Sequence, residues 1–311
     1  MKRPAKKLIA MVAAMLMLFT VFFTSTSASA QPMTPHYVAL GDSVTYGMSA
    51  YAPTYPYPLY YGYADMLKDT LDDYIAVDYL NAGIPGLDSS EMLGLLTSDL
   101  AYRYTLSGRN LVTINIGGNN LLTPFIEAIF GAFGVILEGD ITEADFTQLI
   151  YKINRMGEED ALAAYSNLNN PSGQLATAFK AGVKSFKNDL PKIIAEVKVL
   201  APGSMIIVNT LYNPLETDDP LYKLVDKYVR QINNFIWASY AESGFAVADV
   251  YNGFKSYAGP YDLVAFDSDK AIESALAQLP QKVAAYVDPH PNTFGHIIIA
   301  TLEFATYSSP F

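Results

Sequence analysis

YVALGDSVTYG, residues 37–47, holds the first decision about this chain. Mostly apolar residues from Tyr37 to Leu40 run into Gly41-Asp42-Ser43, followed by Thr45 and Gly47. A short apolar run broken by a glycine turn is how a buried strand ends. Ser43 then has two readings. Ser and Asp are good helix N-caps, and Gly is a common turn residue. On that reading the tripeptide is an ordinary strand-to-helix turn. The same position also exposes a hydroxyl where a strand ends, which is where a nucleophile would stand. Taken alone, the tripeptide favours the cap, and the rest of the chain has to decide.

Behind this stretch, strand-like and helix-like segments alternate. Residues 36–40 read as a short buried strand. Residues 61–73 are helical, with Tyr63, Met66, Leu67 and Leu71 on one face. Residues 76–83 are strand-like, and 89–106 read as one helix opened by a serine cap. Residues 110–118 form a β-branched strand ending in glycines. A long helical region follows and closes with 173–202, where Pro191 is expected to kink or divide the helix. A fourth strand lies in 204–214, a helix in 220–243, a fifth strand in 244–251 and a terminal helix in 293–306. This alternation predicts an α/β fold: a doubly wound, parallel five-stranded sheet with helices on both faces. No repeat or low-complexity linker interrupts it, so residues 31–311 read as a single domain. In such folds chemistry sits beyond the carboxyl ends of the strands.

The first thirty residues read as a leader. MKRPAKK is basic, LIAMVAAMLMLFTVFF is apolar, and Ala28-Ser29-Ala30 fits an A-x-A cleavage site before Gln31. The rival reading is an uncleaved membrane anchor, but the apolar run is shorter than the roughly 20 residues that span a bilayer. With no Cys, a lipid-modified cysteine is excluded. The expectation is a secreted protein with residues 1–30 as signal peptide. It has no disulfides, and its chain is long enough to bury a core without them. The net charge of −11 becomes more negative once Lys2, Arg3, Lys6 and Lys7 are removed, which argues against nucleic acid as partner. No cluster has metal-ligand spacing. Any imidazole chemistry must use His36, His290 or His296, the only histidines.

Four turns converge on one edge of the expected sheet. Gly41-Asp42-Ser43 ends the first strand, and Asn81-Ala82-Gly83-Ile84-Pro85-Gly86 the second. Gly117-Gly118-Asn119-Asn120 ends the third, and Asp288-Pro289-His290-Pro291-Asn292 precedes the last helix. Acyl transfer needs a hydroxyl nucleophile, an imidazole to take its proton, a group to orient that imidazole, and donors for the oxyanion. GDSVTYG, NAGIPG, GGNN and DPHPNTFGH, in that order, resemble the SGNH hydrolases, also called the GDSL esterase/lipase family. The motifs span almost the whole chain after the leader. Each is weak alone, and together they are specific. The resemblance implies an SGNH-type, flavodoxin-like fold and makes Ser43 the nucleophile and His290 the general base. The N–H groups of Ser43 and Gly86 and the side-chain amide of Asn119 would form the oxyanion hole, and no cofactor is implied.

Two positions depart from the family pattern. Asn120 stands where the third block usually has Asp, which leaves the Asn119 position intact and changes a neighbouring structural hydrogen bond. The usual Asp-x-x-His is here Asp288-Pro289-His290, with Val287 where the acid is expected. Either Asp288 reaches the ring through a tighter turn, or a backbone carbonyl orients His290. His296, inside an apolar run, reads as a packing or surface residue, and Asp42 as a brace for the Ser43 turn.

Two excursions leave the active edge, about 121–172 and 252–286. Both read as cap-like insertions over a catalytic groove. The first opens with the apolar segment 121–137, which fits either an acyl-chain wall or a core helix. A tyrosine-proline loop, 48–63, suits a sugar platform, a lipid interface or simple self-packing. The function expected is an exported serine esterase or lipase acting on small-molecule or lipid esters, with no stable protein partner implied. One alternative is a cell-wall or polysaccharide deacetylase. Another is a non-catalytic envelope-binding protein of the same fold.

Overall fold

The computed structural model describes residues 34–51, 60–137, 139 and 142–309. The leader expected at 1–30 lies outside the described residues, as do Tyr55, Tyr57 and the prolines of the 52–59 stretch.

The first strand, β1, is His36–Gly41, followed by a single helical turn, α1, Ser43–Tyr46. Then come α2 (Tyr63–Asp72), β2 (Asp78–Gly83), α3 (Ser89–Ser98), α4 (Leu100–Tyr104), β3 (Leu111–Asn115) and α5 (Asn119–Ala132). The helices α6 (Glu143–Met156), α7 (Glu158–Ser166) and α8 (Gln174–Leu200) lead to β4 (Met205–Asn209) and α9 (Tyr222–Ser243). The strand β5 (Ala246–Ala248) precedes α10 (Val250–Lys255), α11 (Ser268–Leu276), α12 (Pro280–Tyr286) and α13 (Thr293–Ser308).

All five strands pair in parallel, in the order β2-β1-β3-β4-β5. The order reverses beside β1, the position at which doubly wound sheets open a crevice. Side chains alternate between two apolar layers, as a strand's period of two requires. Val38, Leu40, Val112, Ile114, Ile206 and Val208 face the layer of α3, α5, α8 and α9. Tyr37, Ala39, Leu111 and Ile207 face the layer of α2 and α13. Burial on both faces is why these strands read as near-continuous apolar runs.

One helix expectation is corrected, and of the two effects expected at Pro191 one, division, does not occur. The stretch 89–106 is two helices, not one. Asp99 has φ −89° and ψ 111°, ends α3 and caps α4 by accepting the Tyr102 N–H at 2.8 Å. Conversely, Pro191 does not divide α8, which runs unbroken from Gln174 to Leu200. Its face of Phe186, Leu190, Ile193, Ile194 and Val197 is buried on both sides of the proline. That packing outweighs the one backbone hydrogen bond a proline forfeits.

The two excursions pack on each other: α11 lies against α6 and α7, and α12 against α6. Asn154 Nδ2 donates to the Ala275 carbonyl at 3.2 Å, and Ser268 Oγ donates to Asp219 at 2.7 Å. Within 121–137, Phe130, Phe133 and Val135 belong to the main core. No helix among the described residues is long and apolar enough to cross a membrane.

Candidate active site

Strand register brings the turns together. Gly41 is level with Gly83 on β2 and Asn115 on β3, so the three strands release their chains at one edge. The turn after β1 is tight. A Cβ at Gly41 would lie 2.0 Å from Thr45 Oγ1 and 2.3 Å from the Asn115 carbonyl, so no side chain fits there. Asp42 caps α1: its Oδ1 accepts the Val44 N–H at 3.0 Å and the Asn115 amide at 3.3 Å. Burial pushes the Asp42 carboxyl up from 3.8 to about 6, against the Val44 N–H, His290 and Asn115, which favour its ionised form.

Ser43 Oγ lies 2.8 Å from His290 Nε2, and His290 Nδ1 lies 2.6 Å from Asp288 Oδ1. A carboxylate only accepts, so Nδ1 carries the ring proton and Nε2 presents its lone pair to the Ser43 hydroxyl. The two-residue spacing works through an Asx turn. Asp288 Oδ1 also accepts the His290 backbone N–H at 3.0 Å, which curls the carboxylate over the ring of the second residue on. Of the two orienting groups left open by the sequence, the hydrogen bond runs to the carboxylate. Burial raises the Asp288 carboxyl, but the His290 ring, Ser49 Oγ and the His290 N–H outweigh it, and the net displacement is downward.

The full stretch 39–298 matches the GDSL-like lipase/acylhydrolase family. The chain belongs to that family. It is a serine ester hydrolase. Among solved structures it is similar to the lipase Lip_vut3 from a goat rumen metagenome, at 18% identity and a TM-score of 0.54, covering 88% of this chain and 97% of that one. It is similar to an extracellular lipase from Streptomyces rimosus, at 18% identity and a TM-score of 0.50, covering 89% and 100%. A third similar structure is LAE5, an alpha/beta hydrolase from the metagenome of Lake Arreo, Spain, at 14% identity and a TM-score of 0.50, covering 88% and 96%. At these identities the likeness is one of fold. No curated protein matches the chain.

In this GDSL hydrolase the remaining sequence-predicted residues fall as follows. Asn119 opens α5 and lines the same cavity as Ser43 and His290. Its Nδ2 donates to the Leu87 carbonyl at 3.0 Å, which uses one of two amide hydrogens. Gly86 is exposed on the loop just before Leu87, at φ +85°, outside the cavity lining. Its N–H, like that of Ser43, has no acceptor among the described residues. The cavity is about 80 Å³. Leu121, Leu122 and Phe125 of α5, Phe179 of α8, Leu211 and Val225 give it an apolar wall. His296 stands apart, fully buried between α13 and α2.

Three supporting residues were not found from sequence. Ser49 Oγ donates to Asp288 Oδ2 from a left-handed backbone, φ +65°. Tyr212 OH donates to the Pro289 carbonyl at 2.7 Å, and its ring stacks on Phe254 at 4.7 Å. Asp189 is the third, described below. Tyr212 lies in the Thr210-Leu211-Tyr212-Asn213-Pro214 stretch that follows β4. Ser49 carries no local signal, because its partner is far along the chain.

Proposed function

We propose that Ser43, His290 and Asp288 form a catalytic triad for carboxylic-ester hydrolysis. The observation that carries this is the unbroken hydrogen-bond chain from Ser43 Oγ through His290 to Asp288 at the mouth of an apolar cavity. Ser43 Oγ attacks the ester carbonyl carbon while Nε2 takes its proton. The carbonyl oxygen becomes an oxyanion, held by the N–H groups of Ser43 and Gly86 and the free hydrogen of the Asn119 amide. The tetrahedral intermediate collapses, the ester C–O bond breaks, and the alcohol leaves with the proton from Nε2. Water then attacks the acyl-enzyme, giving its proton to Nε2; the bond from the acyl carbon to Ser43 Oγ breaks, Oγ takes the proton back from Nε2, and the carboxylic acid departs. Asp288 holds the tautomer and stabilises the imidazolium that forms at each attack. One well-placed oxyanion donor contributes about 3 kcal/mol to such a transition state.

The acyl group of the substrate occupies the apolar cavity. A dry cavity of about 150 Å³ takes up benzene, so about 80 Å³ suits a short acyl chain. That favours short-chain esters, acetyl esters of glycans among them, over long-chain lipids. The excursions 121–172 and 252–286 act as a cap, with Phe125 from the first and Phe266 from the second in ring contact at 5.9 Å. The basic, apolar and small-residue regions of 1–30 direct export, with cleavage after Ala30.

A fluorophosphonate probe tests the nucleophile. Labelling is expected on Ser43 and absent in Ser43→Ala. A folded native protein that never labels would support the non-catalytic binding reading. A p-nitrophenyl series from acetyl to palmitoyl is expected to fall in kcat/KM beyond short chains.

A further inference from the structure

Behind the oxyanion side of the site runs a buried chain of polar groups that the triad does not use. Asn120 Nδ2 donates to Ser89 Oγ at 2.9 Å, and Ser89 Oγ donates to Asp189 Oδ2 at 2.9 Å. Ser185 Oγ donates to the same oxygen at 2.9 Å. The Ser89 backbone N–H donates to Asn120 Oδ1 at 3.2 Å, which fixes the orientation of the amide. All of Ser89, Asn120 and Asp189 are buried, and no ion pair to Asp189 occurs among the described residues. Its carboxylate is held by two hydroxyls.

The chain ends on both pieces of the proposed oxyanion hole. Asn120 follows Asn119 on α5. Ser89 opens α3, directly after the loop that carries Gly86. The first turn of α3 leaves nothing loose: Asp88 accepts the N–H groups of Ser90 and Glu91 at 2.8 and 2.9 Å, and Glu91 accepts the Asp88 N–H at 3.0 Å. With Asn119 Nδ2 bonded to the Leu87 carbonyl, residues 87–91 are clamped to the start of α5.

The face of α8 that supplies Asp189 is shaped for this turn. A Cβ on Gly182 would sit 1.9 Å from the Asn120 carbonyl, so only glycine allows that approach. One on Gly117 would sit 2.7 Å from the Phe186 ring. Gly182, Ser185, Phe186 and Asp189 fall at helical spacing on one face. That face backs the Gly117–Asn120 turn.

We propose that Asp189 is a positioning residue for the oxyanion hole. Through Ser89 it fixes the Gly86 loop against Asn119, and it supplies from α8 the carboxylate that Asn120 lacks. The inference rests on the reading of Gly86 and Asn119 as oxyanion donors. Hydrogen-bond polarity makes it specific. One hydroxyl proton on Ser89 serves one carboxylate. With Asn at 120 and Asp at 189, each donor has its acceptor. With Asp at both positions, two buried like charges compete for that proton. With Asp at 120 and Asn at 189, the chain reverses direction: the amide at 189 donates to Ser89 Oγ, Ser89 Oγ donates to the carboxylate at 120, and Ser185 Oγ turns to accept the second amide hydrogen.

The test measures kcat and KM on p-nitrophenyl acetate, with thermal melting, for Asp189→Ala, Asn120→Asp and the swapped double variant Asn120→Asp/Asp189→Asn. Asn119→Ala is the control. The oxyanion exists only in the transition state, so displaced donors lower kcat and leave KM. Asp189→Ala and Asn120→Asp are each expected to lower kcat about tenfold or more, the scale of a sub-ångström misplacement. KM is expected to stay within about twofold. The swap is expected to recover most of the kcat that Asn120→Asp loses. Native kcat in a folded Asp189→Ala, or a folded swap no better than Asn120→Asp, would overturn the proposal. If Asp189→Ala does not fold, the comparison of Asn120→Asp with the swap decides alone. Native kcat in Asn119→Ala would instead remove the oxyanion reading itself, which distinguishes the two failures.

Discussion

His296→Gln should change how stability responds to acid. The native ring is fully buried. Its Nδ1 accepts the Tyr63 N–H at 3.0 Å, and its Nε2 lies 3.1 Å from the Met48 carbonyl. A backbone N–H only donates and a carbonyl only accepts, so the ring is neutral with its proton on Nε2. Burial lowers its pKa from 6.5 to about 4, with the Met48 carbonyl opposing and His290 assisting. On acidification the unfolded chain therefore takes up a proton from pH 6.5 downward, and the folded protein does so only near pH 4. The unfolded state binds more protons across that window, so stability rises with pH there. The ring's contribution is whole above pH 6.5 and is lost as pH falls through about 4. At ~1.4 kcal/mol per pH unit this is about 3 kcal/mol.

The native curve alone hides this, because Asp42 runs the opposite way. Its carboxyl, pushed up to about 6, is protonated first in the folded state, so its contribution is whole below pH 3.8 and is lost as pH rises through about 6. The measurement is the difference between native and His296→Gln in urea unfolding free energy, taken from pH 4 to 8, where all common groups cancel. Gln can reach both backbone partners without titrating. The variant starts lower at pH 7 by about 1–3 kcal/mol, as buried substitutions do. Most of that deficit should close by pH 4. Parallel curves across the range would refute the assignment of a neutral, depressed imidazole.

Asp288→Asn should lower kcat by about four orders of magnitude, because an amide does not hold the required tautomer. A near-native rate would exclude Asp288. Ser49→Gly removes the hydroxyl from Asp288 while relieving a positive φ. It should lower kcat about tenfold with Tm held or raised, and a parallel loss of both would mark Ser49 as structural only. Phe125→Ala widens the cavity and should raise the butyryl-to-acetyl activity ratio. Phe130→Ala, off the cavity, should cost about 3–5 kcal/mol of stability and leave that ratio alone.

Most of the frame was legible because it repeats locally. The β-α alternation, the glycine turns and the four motifs each leave a mark within a few residues. What the sequence hid is carried by long-range partners. Ser49 and Asp288 are 239 positions apart, and Ser89 and Asp189 are 100 apart. Neither pair has a period or a spacing to read. Pro191 does not divide α8, because the packing on both sides of it outweighs the local backbone cost. Asp99 was the reverse: Ser98-Asp99 is a plain helix-start signal, masked by apolar residues that continue in phase on either side.

The Asp-Pro-His turn also explains where this enzyme should be most fragile. His290 sits on irregular backbone between α12 and α13. Its position is set from outside: by Ser49 beyond α1, by Tyr212 beyond β4, and by the bridge between Val264 and Pro291. Asn292 adds a further tie, capping α13 while donating to the Asp262 carbonyl at 2.6 Å. None of these contacts is a hydrogen bond of the sheet, and Tyr212 and Val264 only pack against the outside of its two apolar layers. Loss of any one need not unfold the molecule, because the core that resists unfolding lies elsewhere. Each nonetheless moves the imidazole relative to Ser43, and catalysis is far more sensitive to such displacement than stability is. On heating, activity should therefore fall before the cooperative melt. Ser49→Gly and substitutions of Tyr212 should widen that gap, whereas Phe130→Ala should shift both transitions together.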